Sequence, residues 1–522
     1  MTDLDIQNVT TDRARSGGRS ALIVGSMCLS VVVIIASGAG ISVAIPFIGE
    51  TLQASQSELQ WIIDSFNVVL AALLLPAGAL GDRFGRKRLM LGGFVVFIGA
   101  LLWSATTTDT TTLIVMRGVA GAGAAMIFPG TLSTITSVIP NKSRGKAVAA
   151  WAASASLGGT LGSLGAGALI ENFWFGSIFL AMAIVSVAAA AVVAFAVPET
   201  SDPAESNLDP LGSVLSIVGI GGLVLGIIEG PVKGWTDTLT VLGFGFGFVG
   251  LAGFIVWELR TEHPLLDLTL FKRRGFSTGS VSIFLQFFAS FGFFFVATQY
   301  LAFVFDYSPF IVAAALLPIG LTIPLGSALA PGLSKRLGRG IVGASGLMCL
   351  AVGSFMFTLL TTGSNYWAFA AAVLVYGLGF GLAAPPATEA IVESLPAEEQ
   401  GVASAINDVM RELGGAVGIA VIGSAFSAGY RNNIDDNATT SPPGLSEVIR
   451  EAPGIGLGVA RDARSDAPSI LELIQDSVNN GFGLAMWVSA GATIVGAIYV
   501  LARSPKRDSE TAALDEPVSA VQ

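Results

Sequence analysis

The chain has 522 residues, of which 52% are hydrophobic and only 12% are charged, and its formal net charge is −10. Soluble domains carry roughly 25% charged residues, so this composition excludes an ordinary water-soluble enzyme or nucleic-acid-binding domain. The two cysteines, Cys28 and Cys349, both lie in apolar runs, which argues against a disulfide framework and against a cysteine metal site. We expect no cofactor.

Apolar stretches long enough to cross roughly 30 Å of hydrocarbon recur along the chain. The first follows a polar N-terminal stretch and exceeds the length of a signal-peptide core, so we expect an uncleaved span. The predicted spans are residues 21–48, 59–80, 88–105, 112–139, 147–170, 176–197, 211–229, 238–257, 277–303, 309–330, 341–360, 367–391, 401–427 and 479–503. The sequence therefore predicts an all-α membrane protein with fourteen transmembrane helices.

Basic residues fix the expected orientation. Lys and Arg cluster in the N-terminal stretch and after the second, fourth, eighth, tenth and last spans. The short connectors on the other side of the membrane contain Lys233 as their only basic residue. Because basic loops stay in the cytoplasm, both termini are expected to lie there.

An internal repeat indicates two halves. Residues 79–87 (Ala-Leu-Gly-Asp-Arg-Phe-Gly-Arg-Lys) and 332–340 (Gly-Leu-Ser-Lys-Arg-Leu-Gly-Arg-Gly) share Leu, Arg, Gly and Arg in register between two spans. This pattern predicts two pseudo-symmetric six-helix bundles with two inserted linker helices. The expected parts are a cytoplasmic tail (1–20), an N-terminal bundle (21–198), an acidic linker with the inserted helices and a basic connector (199–276), a C-terminal bundle (277–503) with a long extracellular loop (428–478), and a disordered cytoplasmic tail (504–522).

The first repeat lies in the motif Gly78 to Arg88. Gly78 and Gly85 permit a tight turn between two spans, and Arg83 and Arg86 hold that turn in the cytoplasm. Asp82 can pair with these bases or with the positive end of a helix. Such a charged contact can open and re-form, so we interpret the motif as a gating loop.

Ionisable residues inside the predicted spans are the candidate site. Asp64 lies in span two, Arg117 in span four, and Asp408 and Glu412 share one face of span thirteen. Charges at this depth are costly unless they face a cavity or a partner, and a buried carboxylate can bind and release a proton as its access to water changes. We interpret these four as proton-coupling or substrate-binding residues. Asn407, Arg411 and Glu389 are secondary candidates.

Each of these residues also has a structural interpretation. Arg117 can bond to backbone carbonyls between helices, and Asp64 can be solvated at the outer mouth. Arg411 can neutralise Asp408 in an ion-paired cluster that only stabilises packing, and Glu389 can be an interfacial glutamate. The aromatic residues of span nine are interpreted mainly as lipid-facing, with stacking on flat or cationic substrates as the alternative.

Several motifs together resemble one family. Gly78 to Arg88 resembles the loop motif of the major facilitator superfamily, and Leu113 to Gly123 resembles its fourth-span motif. Span five, with small residues that include Gly158, Gly162 and Gly167, is similar to its antiporter motif and favours close helix packing. Fourteen spans and the sequence Trp-Ile-Ile-Asp-Ser-Phe at 61–66 resemble the fourteen-helix drug/proton antiporters, specifically the quaternary-ammonium and multidrug efflux branch.

The resemblance implies a role in proton coupling for Arg117 and a functional acidic pair at Asp408 and Glu412. Three departures stand out: Ala120 replaces a frequent glutamine, Ser163 replaces a usual proline, and Ser37 replaces a common span-one aspartate. The chain carries no phosphate loop for ATP. The expected function is proton-driven export of small hydrophobic or cationic compounds by a monomer in a bacterial inner membrane. Its expected partners are a small-molecule substrate, protons and lipid, without nucleic acid.

Two alternatives remain. An exporter dedicated to one endogenous metabolite or antibiotic is favoured by the missing span-one acid. A non-transporting membrane sensor would need a folded soluble domain, for which neither tail is long enough.

Overall fold

The structure is a computed structural model that describes residues 3–139, 141–200, 209–261, 264, 266–395, 400–437, 445–462 and 467–505. These residues form α-helices and one short 3-10 helix, at Leu268–Lys272, and no strand. The helices are α1 (Asp3–Leu52), α2 (Gln56–Phe84), α3 (Arg86–Thr106), α4 (Thr110–Val138), α5 (Asn141–Asn172), α6 (Gly176–Ala196), α7 (Pro210–Lys233), α8 (Thr238–Glu258), α9 (Arg274–Phe303), α10 (Pro309–Ala315), α11 (Leu317–Leu337), α12 (Arg339–Thr358), α13 (Tyr366–Val392), α14 (Gln400–Asp436), α15 (Leu445–Ile449), α16 (Pro453–Asp462) and α17 (Ala467–Arg503).

The predicted all-α membrane fold is confirmed. Within the described ranges, fourteen helical segments are long and apolar enough to cross a membrane, and α10 with α11 forms one of them. Helix starts follow local chemistry: the side chain of Asp109 caps α4 by accepting from the backbone N–H of Thr112. Residues 468–478, at the end of the predicted extracellular loop, belong to the first turns of α17. The predicted disordered tail lies outside the described residues apart from Ser504 and Pro505.

The helices group into two compact units. Unit 1 contains the described residues within Met1–Ala44 and Trp61–Ser213. Within it α3 packs against α4 and α6. Helices α1 and α5 approach through glycine, because a Cβ on Gly162 would lie 2.5 Å from Cα of Ala36 and one on Gly158 would lie 2.8 Å from the carbonyl oxygen of Val32. Gly167 is buried in the same helix.

Unit 2 contains the described residues within Ile45–Gln60 and Val214–Gln522. Within it α9 packs against α13, α14 and α17, and α12 packs against α13 and α17. The inserted helix α7 is joined to α14 by two hydrogen bonds: Ser424 Oγ donates to the carbonyl oxygen of Ile227 at 2.8 Å, and Arg431 Nη1 donates to that of Val232 at 3.3 Å. Helix α8 packs on α7 through glycine, since a Cβ on Gly222 would lie 2.5 Å from the backbone nitrogen of Gly247.

The sequence repeat has a counterpart in the backbone. Gly85 links α2 to α3 with φ +109°, and Gly338 links α11 to α12 with φ +90°. Contacts of α3 with α4 and α6 in unit 1 match those of α12 with α13 and α17 in unit 2. Each unit therefore builds the same helix–glycine–helix turn into the same helix neighbourhood.

Candidate functional site

Arg117 is one of two fully buried ionisable residues, with Asp64, in the part of unit 1 that the structure describes. Its side chain is fully enclosed, on helix α4. Nε donates to the carbonyl oxygen of Ile62 at 3.0 Å, Nη1 donates to Oγ of Ser37 at 3.2 Å, and the guanidinium lies 4.3 Å from the ring centre of Phe66. Nη2 is buried without a hydrogen-bond partner among the described residues. Arg117 thus has one donor group that no described residue satisfies.

Ser37 occupies the position where the resemblance expects an aspartate. In the sequence this serine is only a missing carboxylate. The structure shows that its hydroxyl accepts a hydrogen bond from the guanidinium of Arg117. The contact spans 80 positions of the chain, so nothing local in the sequence announces it. A neutral acceptor therefore stands where an acid would form a buried ion pair with Arg117.

Asp64 lies on α2 between the two residues that Arg117 contacts, Ile62 and Phe66. It is fully buried, and neither carboxylate oxygen has a hydrogen-bond partner in the described part of the chain. Asp64 and Arg117 form no ion pair, although Asp64 lies between the two α2 residues that Arg117 contacts. The interpretation of Asp64 as a solvated residue at the outer mouth is wrong, because its side chain is enclosed by protein.

A second polar cluster lies on α14 in unit 2. Arg411 Nη1 is 3.9 Å from Oδ1 of Asp408, and its guanidinium lies 5.3 Å from the ring centre of Phe287. When the amide of Asn407 is oriented to satisfy both groups, its oxygen accepts from Nη2 and Nε of Arg411 at 3.2 and 3.3 Å. Glu412 is half-buried one turn beyond Asp408. The cluster therefore holds two acids, one arginine and one amide on neighbouring turns.

An aromatic face borders this cluster. Phe284, Phe287, Phe291 and Phe294 are partly exposed and recur at three- and four-residue intervals, so they share one side of α9. Phe380 of α13 packs edge-on against Phe287, with ring centres 5.4 Å apart. The lipid-facing interpretation of span nine is wrong for its other aromatic residues. Phe288, Phe293, Phe295 and Tyr300 are buried inside unit 2.

The predicted gating loop is held by charges on both sides of Gly85. Arg86 Nε contacts Oδ1 of Asp82 at 2.6 Å. The backbone N–H of Lys87 donates to Oε1 of Glu199 at 3.1 Å, and the N–H of Arg86 donates to the carbonyl oxygen of Thr200 at 2.9 Å. Gly78 faces Pro129 of α4, whereas Arg83 is exposed and stacks on Phe84.

Sequence reasoning missed the acidic partners of both repeats. Glu199 contacts the first turn, and Glu393 pairs with Arg339 at the second. Both acids lie in connectors that follow predicted spans, whereas the orientation rule considers mainly basic residues. Their recurrence near the two basic turns was the signal that could have identified them. Glu389 is exposed on α13, which agrees with an interfacial glutamate.

The two glycine turns allow a matched test. Replacing either glycine with alanine forces a side chain into a backbone conformation that costs on the order of 1–3 kcal/mol. At Gly85 the new Cβ would also lie 2.5 Å from Oε1 of Glu199, whereas nothing lies within 4 Å at Gly338. Because Glu199 would have to give up its bond to the backbone N–H of Lys87, we expect Gly85→Ala to lower the thermal unfolding midpoint of purified protein more than Gly338→Ala does. Adding Glu199→Ala should leave the Gly338→Ala defect unchanged; equal midpoints for the two glycine variants would contradict this account.

Comparison with known proteins places these features in a family. A sequence model of the Major Facilitator Superfamily matches residues 27–419. The chain belongs to that superfamily. It is therefore a multi-pass membrane transporter and not an enzyme.

The relatives named as resistance or efflux proteins align over most of the chain. The multidrug efflux pump LfrA of Mycolicibacterium smegmatis is 30% identical over 94% of this chain and 98% of its own length. The methyl viologen resistance protein SmvA of Salmonella typhimurium is 31% identical over 89% of this chain and 95% of its own. The methylenomycin A resistance protein of Streptomyces coelicolor is 29% identical over 81% and 90%.

Solved structures show the same fold at low sequence identity. A bacterial homologue of the human lysosomal transporter Spinster, inward-facing and unoccupied, aligns with a TM-score of 0.62 at 16% identity, over 94% of this chain and 99% of that one. A D-xylose–proton symporter aligns with a TM-score of 0.60 at 16% identity, over 93% and 98%. The predicted fold class is thereby confirmed.

Proposed function

We propose that this transporter exports small hydrophobic or cationic organic compounds from a bacterial cell in exchange for protons. The observation that carries the proposal is the carboxylate of Asp64, which is fully buried in a membrane helix with both oxygens unpartnered among the described residues. A side chain so placed has no structural bond to keep it charged. It can take up and release a proton as its access to water changes.

Export as the direction of transport rests on the relatives. Proteins named for multidrug efflux, methyl viologen resistance and methylenomycin A resistance align over most of the chain. In the proposed cycle Asp64 binds a proton from outside as substrate leaves, and it loses that proton inside as substrate binds. Arg117 senses this exchange, because it contacts α2 on both sides of Asp64 and keeps Nη2 free for an acceptor.

The chemistry of the cluster in unit 2 fits a flat organic cation. Aromatic faces attract cations, and Asp408 and Glu412 add negative charge beside them. Arg411 already lies over Phe287, 5.3 Å from its ring centre, so the protein's own cation occupies the position that a substrate cation would take. We propose that the substrate displaces Arg411 from this ring and stacks on Phe287 and Phe291.

Proton dependence is the direct test. Cells loaded with ethidium should expel the dye when energised and should stop when an uncoupler collapses the proton gradient. Dye efflux that continues at the same rate with the uncoupler would overturn proton coupling.

Truncation of the aromatic face is the second test. We expect Phe287→Ala to weaken ethidium binding by roughly two- to thirtyfold, the range that corresponds to a lost cation–π contact. Titration of purified protein by dye fluorescence measures this directly. The matched control is Phe246→Ala on α8, whose ring is 59% exposed at the surface of unit 2. Equal loss in both variants would show that the stacking face on α9 is not the binding site.

A dedicated exporter of one compound is the second candidate. The contact of Arg117 with neutral Ser37 favours it, because the chain lacks the extra acid that a doubly charged cation would need. Resistance profiling separates the two: a dedicated exporter protects cells against one chemical type, and a multidrug exporter protects against several.

A further inference from the structure

The hairpin between the first two spans belongs to a different unit from the rest of its own helices. Residues 45–60, which we call the tip, are part of unit 2, whereas α1 up to Ala44 and α2 from Trp61 are part of unit 1. Pro46 lies inside α1 next to this boundary. A proline inside a helix removes one backbone hydrogen bond and favours a bend, so the tip begins beside a weakened turn of α1.

The tip is held by helix α16 and the turn before it. The backbone N–H of Gln56 donates to the carbonyl oxygen of Glu451 at 3.3 Å. A Cβ on Gly454 would lie 2.9 Å from the backbone nitrogen of Glu50, so glycine lets α16 pack directly on the backbone of the tip. A Cβ on Gly458 would lie 3.4 Å from Nε2 of Gln53.

Helix α16 and the residues just before it, Ile449 and Arg450, are tied to the C-terminal helices. Tyr430 Oη on α14 donates to the carbonyl oxygen of Ile449 at 2.9 Å, and Arg450 pairs with Asp435 at 2.9 Å. Ile455 is buried, and a Cβ on Gly456 would lie 2.9 Å from Cδ1 of Ile474 on α17. We call residues 449–462 the cap. The tip rests on this cap, and the cap is held by α14 and α17.

The packing of the tip is imperfect in a specific way. Both amide atoms of Gln56 and Nε2 of Gln60 are buried without hydrogen-bond partners in the described residues. Gln53, at the turn, has φ +52°, a conformation that non-glycine residues seldom adopt. Unpaired buried amides recover hydrogen bonds when water reaches them. This cost favours a second state in which the tip has left the cap.

We propose that α16 is a latch that holds the tip of the first hairpin on α14 and α17. Its release opens the substrate path on the side that the charge distribution predicts to be extracellular. That release opens a substrate path rests on the proposed export function. That the tip can separate from α16 rests on the tip contacts alone.

A reversible cross-link tests the consequence. With Cys28→Ser and Cys349→Ser as background, the pair Gln53→Cys and Gly458→Cys places two thiols across the latch. A Cβ on Gly458 would lie 3.8 Å from Cδ of Gln53, so a short bifunctional methanethiosulfonate can join the two thiols. Cross-linking should lower ethidium efflux by roughly tenfold or more, and a reductant should restore it. Each single-cysteine variant should keep its efflux after the same treatment. Undiminished efflux by protein shown by mass spectrometry to be cross-linked would overturn the latch.

Labelling tests the mechanism without any transport assay. Gln60 is 1% exposed, so Gln60→Cys should react with a membrane-impermeant maleimide only when the tip separates. Gly454→Ala should speed this labelling, whereas Gly363→Ala, which has open space around its Cβ position, should not. Equal labelling rates in the Gly454→Ala and Gly363→Ala variants would overturn the latch. If Gly454→Ala speeds labelling but the reduced cysteine pair exports no ethidium, the proposed export function is wrong and the latch is retained.

Discussion

Asp64→Asn is expected to abolish proton-coupled export while leaving the protein folded. Asparagine keeps the size of the side chain but cannot bind and release a proton. Because burying an unpaired carboxylate is unfavourable, the neutral amide should leave the thermal unfolding midpoint unchanged or raise it. Loss of transport without loss of stability is the signature of a coupling residue.

Proton release on substrate addition to purified protein measures the effect. The wild-type chain should release protons when ethidium is added, and Asp64→Asn should release none. Asp306→Asn is the matched control, because Asp306 is exposed and has φ +54°, a conformation that asparagine tolerates well. Wild-type proton release from Asp64→Asn would assign coupling to another acid, with Asp408 and Glu412 the next to replace.

The fold followed from the sequence because the bilayer imposes simple constraints. Apolar runs of spanning length and basic connectors mark helices without any knowledge of their partners. The repeat around Gly85 and Gly338 was readable for the same reason, since both are turns that only glycine makes easily. The ends of the helices were harder to predict from the sequence. The extension of α14 to Asp436 and the start of α17 at Ala467 depend on packing around the long loop.

The candidate site was predictable as a set of residue types and not as a set of contacts. A buried charge stands out in an apolar span, so Asp64 and Arg117 could be named. Their partners could not be named, because Ser37 is 80 positions from Arg117 and Ile62 contributes only its backbone carbonyl. The aromatic face on α9 was hidden among buried phenylalanines of the same helix. Only packing separates those that are partly exposed from those that are buried.

Arg117→Lys is expected to lose most of the export activity although it keeps the charge. The guanidinium bonds the carbonyl oxygen of Ile62 and Oγ of Ser37 at once, and it stacks on Phe66. A lysine ammonium is a compact point charge on a flexible stem and cannot reproduce this planar arrangement. Losing one or two hydrogen bonds to a charged group corresponds to a fall in export on the order of tenfold to a hundredfold.

Ser37→Ala separates the contacts of Arg117 from its charge. It removes only the acceptor of Nη1 and leaves the bond to Ile62 and the stacking on Phe66. We therefore expect a smaller loss than for Arg117→Lys, measured as ethidium efflux per amount of folded protein. Arg503→Lys, at an exposed arginine in the last turn of α17, is the control and should export at the wild-type rate. Full export by Arg117→Lys would show that charge alone suffices, and the directed contacts to α1 and α2 would then have no part in coupling.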